Sequence, residues 1–202
     1  MTEVQPITPV TPVAKKRKVP VLGIIVAVVV ILAIWLIGMF NGMVRANESV
    51  DNKWSQVETS LQRRADLIPN LVNTVKGYAS HEEGVFTEVA NARAKLAGAS
   101  TPAEATEAND ALTAGLGRLL AISEAYPELK ANESFIQLQD ELAGTENRIA
   151  TARKDYNDEV TTFNKSVKVF PQNIFAGMFG FSERDYFESA EGADKSPVVN
   201  FE

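Results

Sequence analysis

The chain has 202 residues, a net charge of −6, a single histidine and no cysteine. The missing cysteine excludes disulfides, thiol nucleophiles and thiolate metal sites. Four Lys/Arg against Glu3 in the first 20 residues, and no charge in the next 20, leave residues 41–202 at −9. So acidic a segment is repelled by phosphates, which argues against nucleic acid as a partner.

Residues 1–18 form a leader rich in Pro, Thr and Val, expected to be disordered, that ends in the quartet Lys15, Lys16, Arg17 and Lys18. Val21 to Phe40 then carry no charge and only two glycines. At about 1.5 Å per residue such a run spans about 30 Å, the hydrocarbon thickness of a bilayer. A signal peptide has a shorter apolar stretch of about 7–15 residues and a small-residue cleavage site. Here Met39, Phe40, Asn41, Gly42 and Met43 follow, so residues 19–42 are read as a retained transmembrane helix. The basic quartet beside it matches a nuclear-localisation patch only in composition, and contact with anionic lipid is the better reading. On the far side only Arg45 and Lys53 lie close to the span. The positive-inside rule then puts the N-terminus in the cytoplasm of a single-pass membrane protein and the larger domain outside it.

Past the span, Val50, Trp54, Val57, Leu61, Ile68, Leu71, Val75 and Tyr78 recur mostly at spacings of three and four, which predicts one helix over 43–78. Pro69 interrupts it, and a kink is expected rather than a stop, because the stripe keeps its phase. Gly38, Asn41 and Gly42 leave the joint to the membrane helix open. Ser80 to Glu83 reads as a capping box that opens a second helix, with Phe86, Val89 and Leu96 inward. Thr101 to Glu104 reads as another, with Pro102 at the first helical position. The third helix carries Ala105, Ala108, Leu112, Leu116 and Leu119 and stops before Pro127. Gly115 and Gly117 inside it imply close approach of a neighbouring helix. Asn132 caps a fourth helix that reaches about Val169, with Phe135, Leu138, Leu142, Ile149, Ala152, Tyr156, Val160, Phe163, Val167 and Phe170 in its stripe. Strand-like alternation is confined to 198–201.

The fold class is therefore all-α: an N-terminal transmembrane helix followed by an antiparallel helical bundle of two long and two shorter helices over 43–187. The short pair leaves the membrane-proximal part of the long pair uncovered. Residues 170–187 hold six of the sixteen aromatics and are the candidate cover. Three fates are open to them: folding back as core, lying on the membrane interface, or packing against another subunit. Trp54, Phe163, Phe170, Phe175, Phe179 and Phe181 are the candidate packing or oligomer surface at that end. Residues 188–202 read as a mobile tail.

The runs Val50 to Glu58 and Leu61 to Val72 resemble the signature of the LemA family. So do Tyr126 to Asn132, Glu146 to Ile149, Arg153 to Asn157 and Phe170-Pro171, and the likeness extends over about 41–187. The resemblance implies a bacterial single-pass membrane protein with a mostly helical soluble domain. It brings no catalytic residue with it.

For chemistry the residues offer little. His81 reads as a surface residue of a capping turn, and Tyr78 stands where the Glu of a Glu-x-x-His metal motif would be needed. Neither a nucleophile triad away from His81 nor a phosphate loop is recognisable. Paired carboxylates such as Asp140–Glu141 are explained by solvated faces. The remaining candidate is a polar patch: Arg63, Arg64, Asp66 and Asn70 on the first long helix, facing Glu146, Arg148, Arg153 and Asn157 on the other. It reads as an ion-pair network setting register, or as a partner-binding surface. No catalytic residue, cofactor, metal or small-molecule substrate is inferred. The functional expectation is a membrane-anchored binding or scaffold protein of the bacterial envelope, with the lipid bilayer and a protein partner or homo-oligomer as its contacts. A sensor or regulatory subunit acting through a membrane partner is the alternative.

Overall fold

The computed structural model describes residues 21–187 of the chain. The predicted leader, residues 19 and 20 of the predicted span, the tail 188–202 and the strand expected at 198–201 lie outside the described residues. Six helices follow in order: α1 Val21–Lys76, α2 Glu83–Gly98, α3 Pro102–Ala125, α4 Pro127–Lys130, α5 Glu133–Lys168 and α6 Gln172–Phe179. No strand occurs among the described residues.

The chain divides into two compact units between Met39 and Phe40. The first unit's described part is apolar helix whose side chains face outward along nearly its whole length, with Val21 and Leu22 more than 70% exposed. It is long and apolar enough to cross a membrane. Gly38, Asn41 and Gly42 do not break α1, which continues as helix through Pro69 to Lys76. A proline costs one backbone hydrogen bond here, and the buried side chains on either side, Ala65, Ile68, Leu71 and Val75, hold the helix together across it.

In the second unit the apolar stripes become the core. Val50, Val57, Ile68, Leu71 and Val75 of α1 and Phe135, Ile149, Val160 and Phe163 of α5 are essentially inaccessible. The two long helices run antiparallel. Lys53 meets Asp155 at 3.2 Å, Arg64 meets Glu146 at 2.8 Å, and Asn132 at the α5 cap donates to Tyr78 Oη at 3.1 Å. One register therefore holds from end to end. The hairpin α2–α3 packs on α1, where Arg93 Nε donates to the Ala65 carbonyl at 2.8 Å and Lys76 lies over the Phe86 ring at 5.2 Å.

Local signals behave unequally. Thr101 caps α3, accepting from the Glu104 amide at 3.2 Å, and the Glu104 carboxylate reaches back to the Ser100 amide at 2.9 Å, one residue earlier than a capping box requires. These hydrogen bonds from Ser100 and Thr101 hold the Glu104 carboxyl below its ordinary range. Asn132 caps α5 as expected, accepting from the Phe135 amide at 3.0 Å. Ser80 does not cap α2. The helix begins at Glu83 after Glu82, without a side-chain cap, because Ala79 is buried in the core and residues 80–82 are consumed in turning the chain. Gly115 fulfils the close-approach expectation: an added Cβ would lie 3.1 Å from Val89 Cγ2. Gly117 does not, since nothing stands within 4 Å of such an atom.

The C-terminal segment folds back over the long pair. α5 ends at Lys168, Val169 is extended, and Phe170 is thereby turned outward at 74% exposure instead of continuing the inward stripe. α6 follows and stops at Gly180, whose φ of 78° is the left-handed conformation glycine accepts without strain. Ala176 and Phe187 are buried, and Phe181 packs on Phe163 at 6.4 Å between ring centroids.

Candidate functional site

Two polar constructions stand out, and both join α5 to another part of the fold. The first centres on Arg64. The helical register of α1 puts this residue beside Ala65 and Ile68 on the inward face, and it is 5% exposed. Its guanidinium donates to Asn109 Oδ1 at 2.5 Å and to Thr113 Oγ1 at 3.0 Å, both on α3. On the other side Nη1 lies 2.8 Å from Glu146 Oε2 of α5. That last contact is a charge contact without hydrogen-bond alignment. Burial lowers the Arg64 pKa, while Glu146 and Asp110 oppose the shift. One side chain thus ties three helices, at a level where a groove of about 540 Å³ opens between them, floored by Leu71, Leu116 and Leu142.

The rest of the predicted patch is scattered. Arg63 pairs with Glu141 at 3.2 Å with both groups about half exposed. Asp66 is exposed and accepts from Gln62 at 2.8 Å. Asn70 is exposed, and its hydrogen bond is made by its carbonyl, which accepts from Thr74 Oγ1 at 2.9 Å, rather than by its side chain to groups freed at Pro69. Arg148 is exposed. The structure brings Arg64 and Glu146 together, and Arg63 with Glu141 beside them. It does not gather Asp66, Asn70 and Arg148 into the same cluster.

Arg153 and Asn157 belong to the second construction, in which α5 holds the extended residues 181–187. Asn157 accepts from the Phe187 amide and donates to the Phe187 carbonyl, both at 2.9 Å. Asn164, seven residues on, does the same for Arg184, at 2.8 Å to the amide and 2.9 Å from the carbonyl. Seven residues of helix rise about 10.5 Å, and three extended residues cover about 10 Å. The two amides therefore match alternate stretches of one extended backbone. Between them Tyr156 Oη donates to the Asp185 carbonyl at 2.8 Å, and burial pushes this phenol up to about 12. Phe187 is 1% exposed, with Trp54 at 6.2 Å on one side and the Arg153 guanidinium 4.3 Å from its ring centroid on the other. Trp54 also packs on Tyr156 at 5.3 Å. Arg184 pairs with Asp51 of α1, and Lys168 with Glu183 at 2.7 Å.

Of the predicted packing surface, Phe163 is fully buried and Trp54, Phe175 and Phe181 are half-buried, while Phe170 and Phe179 are exposed. Sequence reasoning missed Asn109, Asn164 and the clamped backbone. Asn109 was detectable as a polar residue set in the α3 stripe between Ala108 and Leu112. Asn157 and Asn164 were detectable as two asparagines one heptad apart, flanking the α5 stripe. Among the described residues no group of three or more His, Asp or Glu side chains is placed to hold a metal ion.

These features define the class: a membrane-associated, all-helical protein whose long antiparallel helix pair is capped at one end by its own C-terminal segment. The LemA family model matches residues 53–201, and the chain belongs to that family. Among curated relatives it is similar to Magnetosome protein MamQ 2 of Paramagnetospirillum magneticum, with 28% identity over 190 residues, covering 81% of this chain and 70% of that one. It is 26% identical to Magnetosome protein MamQ of Magnetospirillum gryphiswaldense over the same shares. Protein LemA of Metamycoplasma hominis is 24% identical over 159 residues, covering 77% of this chain and 71% of that one.

Proposed function

We propose that this protein is a membrane-tethered binding or scaffold module of the bacterial envelope, with the N-terminus in the cytoplasm and the helical bundle outside it. One observation carries the reading: α1 runs without a break from an outward-facing apolar stretch into the buried stripe of the bundle. A helix whose side chains are apolar and exposed for this length is unstable in water and stable in lipid. The bundle is then tethered through its own first helix. The Arg64 layer serves as a register device in this reading. Its guanidinium is already engaged by Asn109, Thr113 and Glu146, which leaves it few donors for a ligand.

Sidedness is tested with Ser80→Cys. Ser80 is exposed in the α1–α2 turn, and the chain has no other cysteine. Labelling by an impermeant maleimide is expected in intact cells, with any outer membrane permeabilised. Labelling only after lysis would overturn the orientation and direct the search for partners to the cytoplasm. Size measurement in detergent separates a monomeric tether from a self-associating one.

A further inference from the structure

The face of α6 that points away from the bundle is apolar and uncovered. Ile174 and Met178, four residues apart on α6, are 56% and 74% exposed, and Phe170, in the turn that leads into the helix, is 74% exposed. Residues 169–182 contain no charged side chain at all. The other side of the helix is held down: Ala176 is buried, and Phe179 and Phe181 lie 5.0 and 6.1 Å from the ring of Phe40. Phe40 directly follows Met39 in α1 and is the last residue of the apolar run that begins at Val21, before Asn41. A helix pinned to Phe40 is therefore pinned to the end of the apolar run, at the level where hydrocarbon gives way to headgroups. Five residues further along α1 stands an exposed cation, Arg45. Aromatic and aliphatic side chains inward and cations outward is the order of residues at a membrane–water boundary.

We propose that α6 is an interfacial helix: Phe170, Ile174 and Met178 enter the headgroup–acyl boundary of the bilayer that the α1 apolar run crosses. The inference rests on the tethered reading given above. Continuity with the apolar run selects a lipid surface as the occupant. A second copy of the chain would have to cover the stripe while leaving Phe40 at the lipid boundary.

The full chain is reconstituted in phosphatidylcholine–phosphatidylglycerol vesicles with an environment-sensitive fluorophore on one introduced cysteine. Three positions are compared: Met178→Cys on α6, Val30→Cys in the middle of the apolar run, and Ser80→Cys in the α1–α2 turn. Lipids carrying a quencher near the headgroup, or deep in the acyl chain, report depth. The expected pattern is strong shallow quenching at 178, strong deep quenching at 30 and neither at 80. No quenching at 178 with deep quenching at 30 would overturn the α6 inference and leave the tether standing. No quenching at either position would remove the tether itself. A probe at 178 that is shielded from both quenchers, with fluorescence that depends on protein-to-lipid ratio, would assign the stripe to a second copy and overturn the proposal. Far-UV circular dichroism of Met178→Cys matching the parent chain establishes that the variant is folded. The reciprocal variant Ile174→Asp places a charge on the same stripe, and loss of shallow quenching at 178 is expected from it.

Discussion

Replacing Asn164 by alanine should loosen residues 181–187 without unfolding the bundle. The side chain makes two hydrogen bonds to one residue, accepting from the Arg184 amide at 2.8 Å and donating to its carbonyl at 2.9 Å. Each is worth about 0.5–1.5 kcal/mol net, so the pair contributes about 1–3 kcal/mol. Only the free energy of detaching the segment changes by this amount, because Val160, Phe163 and Val167 beneath it remain packed in α5. Native-state hydrogen exchange reads the effect directly, since the Arg184 amide is the donor. At about 1.4 kcal/mol per factor of ten, its exchange should accelerate about 5- to 150-fold. Asn157→Ala should do the same for the Phe187 amide, by less, because Asn157 is half-buried and water can replace it, and because the Phe187 ring keeps its seat between Trp54 and Arg153. The double variant should fall short of the sum, because a segment released at one clamp has little left to lose at the other. Two results would refute the reasoning: wild-type exchange at both amides, or acceleration shared equally by amides of α2 and α3, which would mean that the asparagines support the whole bundle.

Arg64→Ala and Glu146→Ala should be non-additive in denaturant unfolding. Arg64→Ala strands Asn109 and Glu146 and should cost about 2–4 kcal/mol, below the 3–5 of a fully buried pair because Glu146 is half exposed. Strict additivity would show that the charge contact contributes nothing. The two α3 glycines should respond with opposite sign: Gly117→Ala gains up to about 1 kcal/mol of helix propensity in open space, whereas Gly115→Leu meets Val89 and should lose about 1–3 kcal/mol. Melting temperatures of the two variants decide this. The Tyr156 phenol sits at about 12, above its ordinary value near 10, so its contribution to holding Asp185 is complete below pH 10 and is lost as pH rises through about 12. Protection of the 184–187 amides should fall over that window in the parent chain, and Tyr156→Phe should flatten the dependence.

The elements were legible where one physical signal dominated. The three- and four-residue spacing of Val50 to Val75 and of Phe135 to Val167 locates both long helices, because burying such a stripe outweighs even Pro69. Thr101 and Asn132 were readable as caps because each is followed directly by its helix. Ser80 carried the same letters and failed, because Ala79 had already been drawn into the core and the turn needed the intervening residues. The polar layer was half legible. A cation and a carboxylate on two long helices that pair antiparallel predict their own meeting, but the α3 stripe that turns Asn109 inward does not say which neighbouring side chain it meets. Least legible was the path of 181–187. Its hydrogen bonds go from side-chain amides to backbone, and backbone carries no residue-specific signal.

The two ends of the long pair are closed by different means. At the Lys76 end of α1, the α2–α3 hairpin and the short α4 cover α1 and α5, and Leu129 of α4 is buried there. Toward Phe40 the hairpin has run out, and a free helix pair would expose Val50, Trp54, Val160 and Phe163. Residues 181–187 solve this with few side chains of their own. Phe181 and Phe187 supply the apolar cover, while Asn157, Tyr156 and Asn164 satisfy the backbone that an extended segment brings with it. This choice sets how the segment behaves. A cover of extended chain detaches at the cost of its side-chain hydrogen bonds and of the burial of Phe181 and Phe187, whereas a covering helix would detach only with its whole stripe. α6 links that detachable cover to Phe40. With α6 seated in lipid as proposed, the bilayer fixes one end of the cover and the asparagines the other, so that uncovering Trp54 and Phe163 requires releasing the clamps and not moving the anchor. Exchange at the Arg184 and Phe187 amides should then be slower in vesicles than in detergent, while amides of the α2–α3 hairpin exchange alike in both. Equal rates at 184 and 187 in the two media would mean that lipid does not hold the cover.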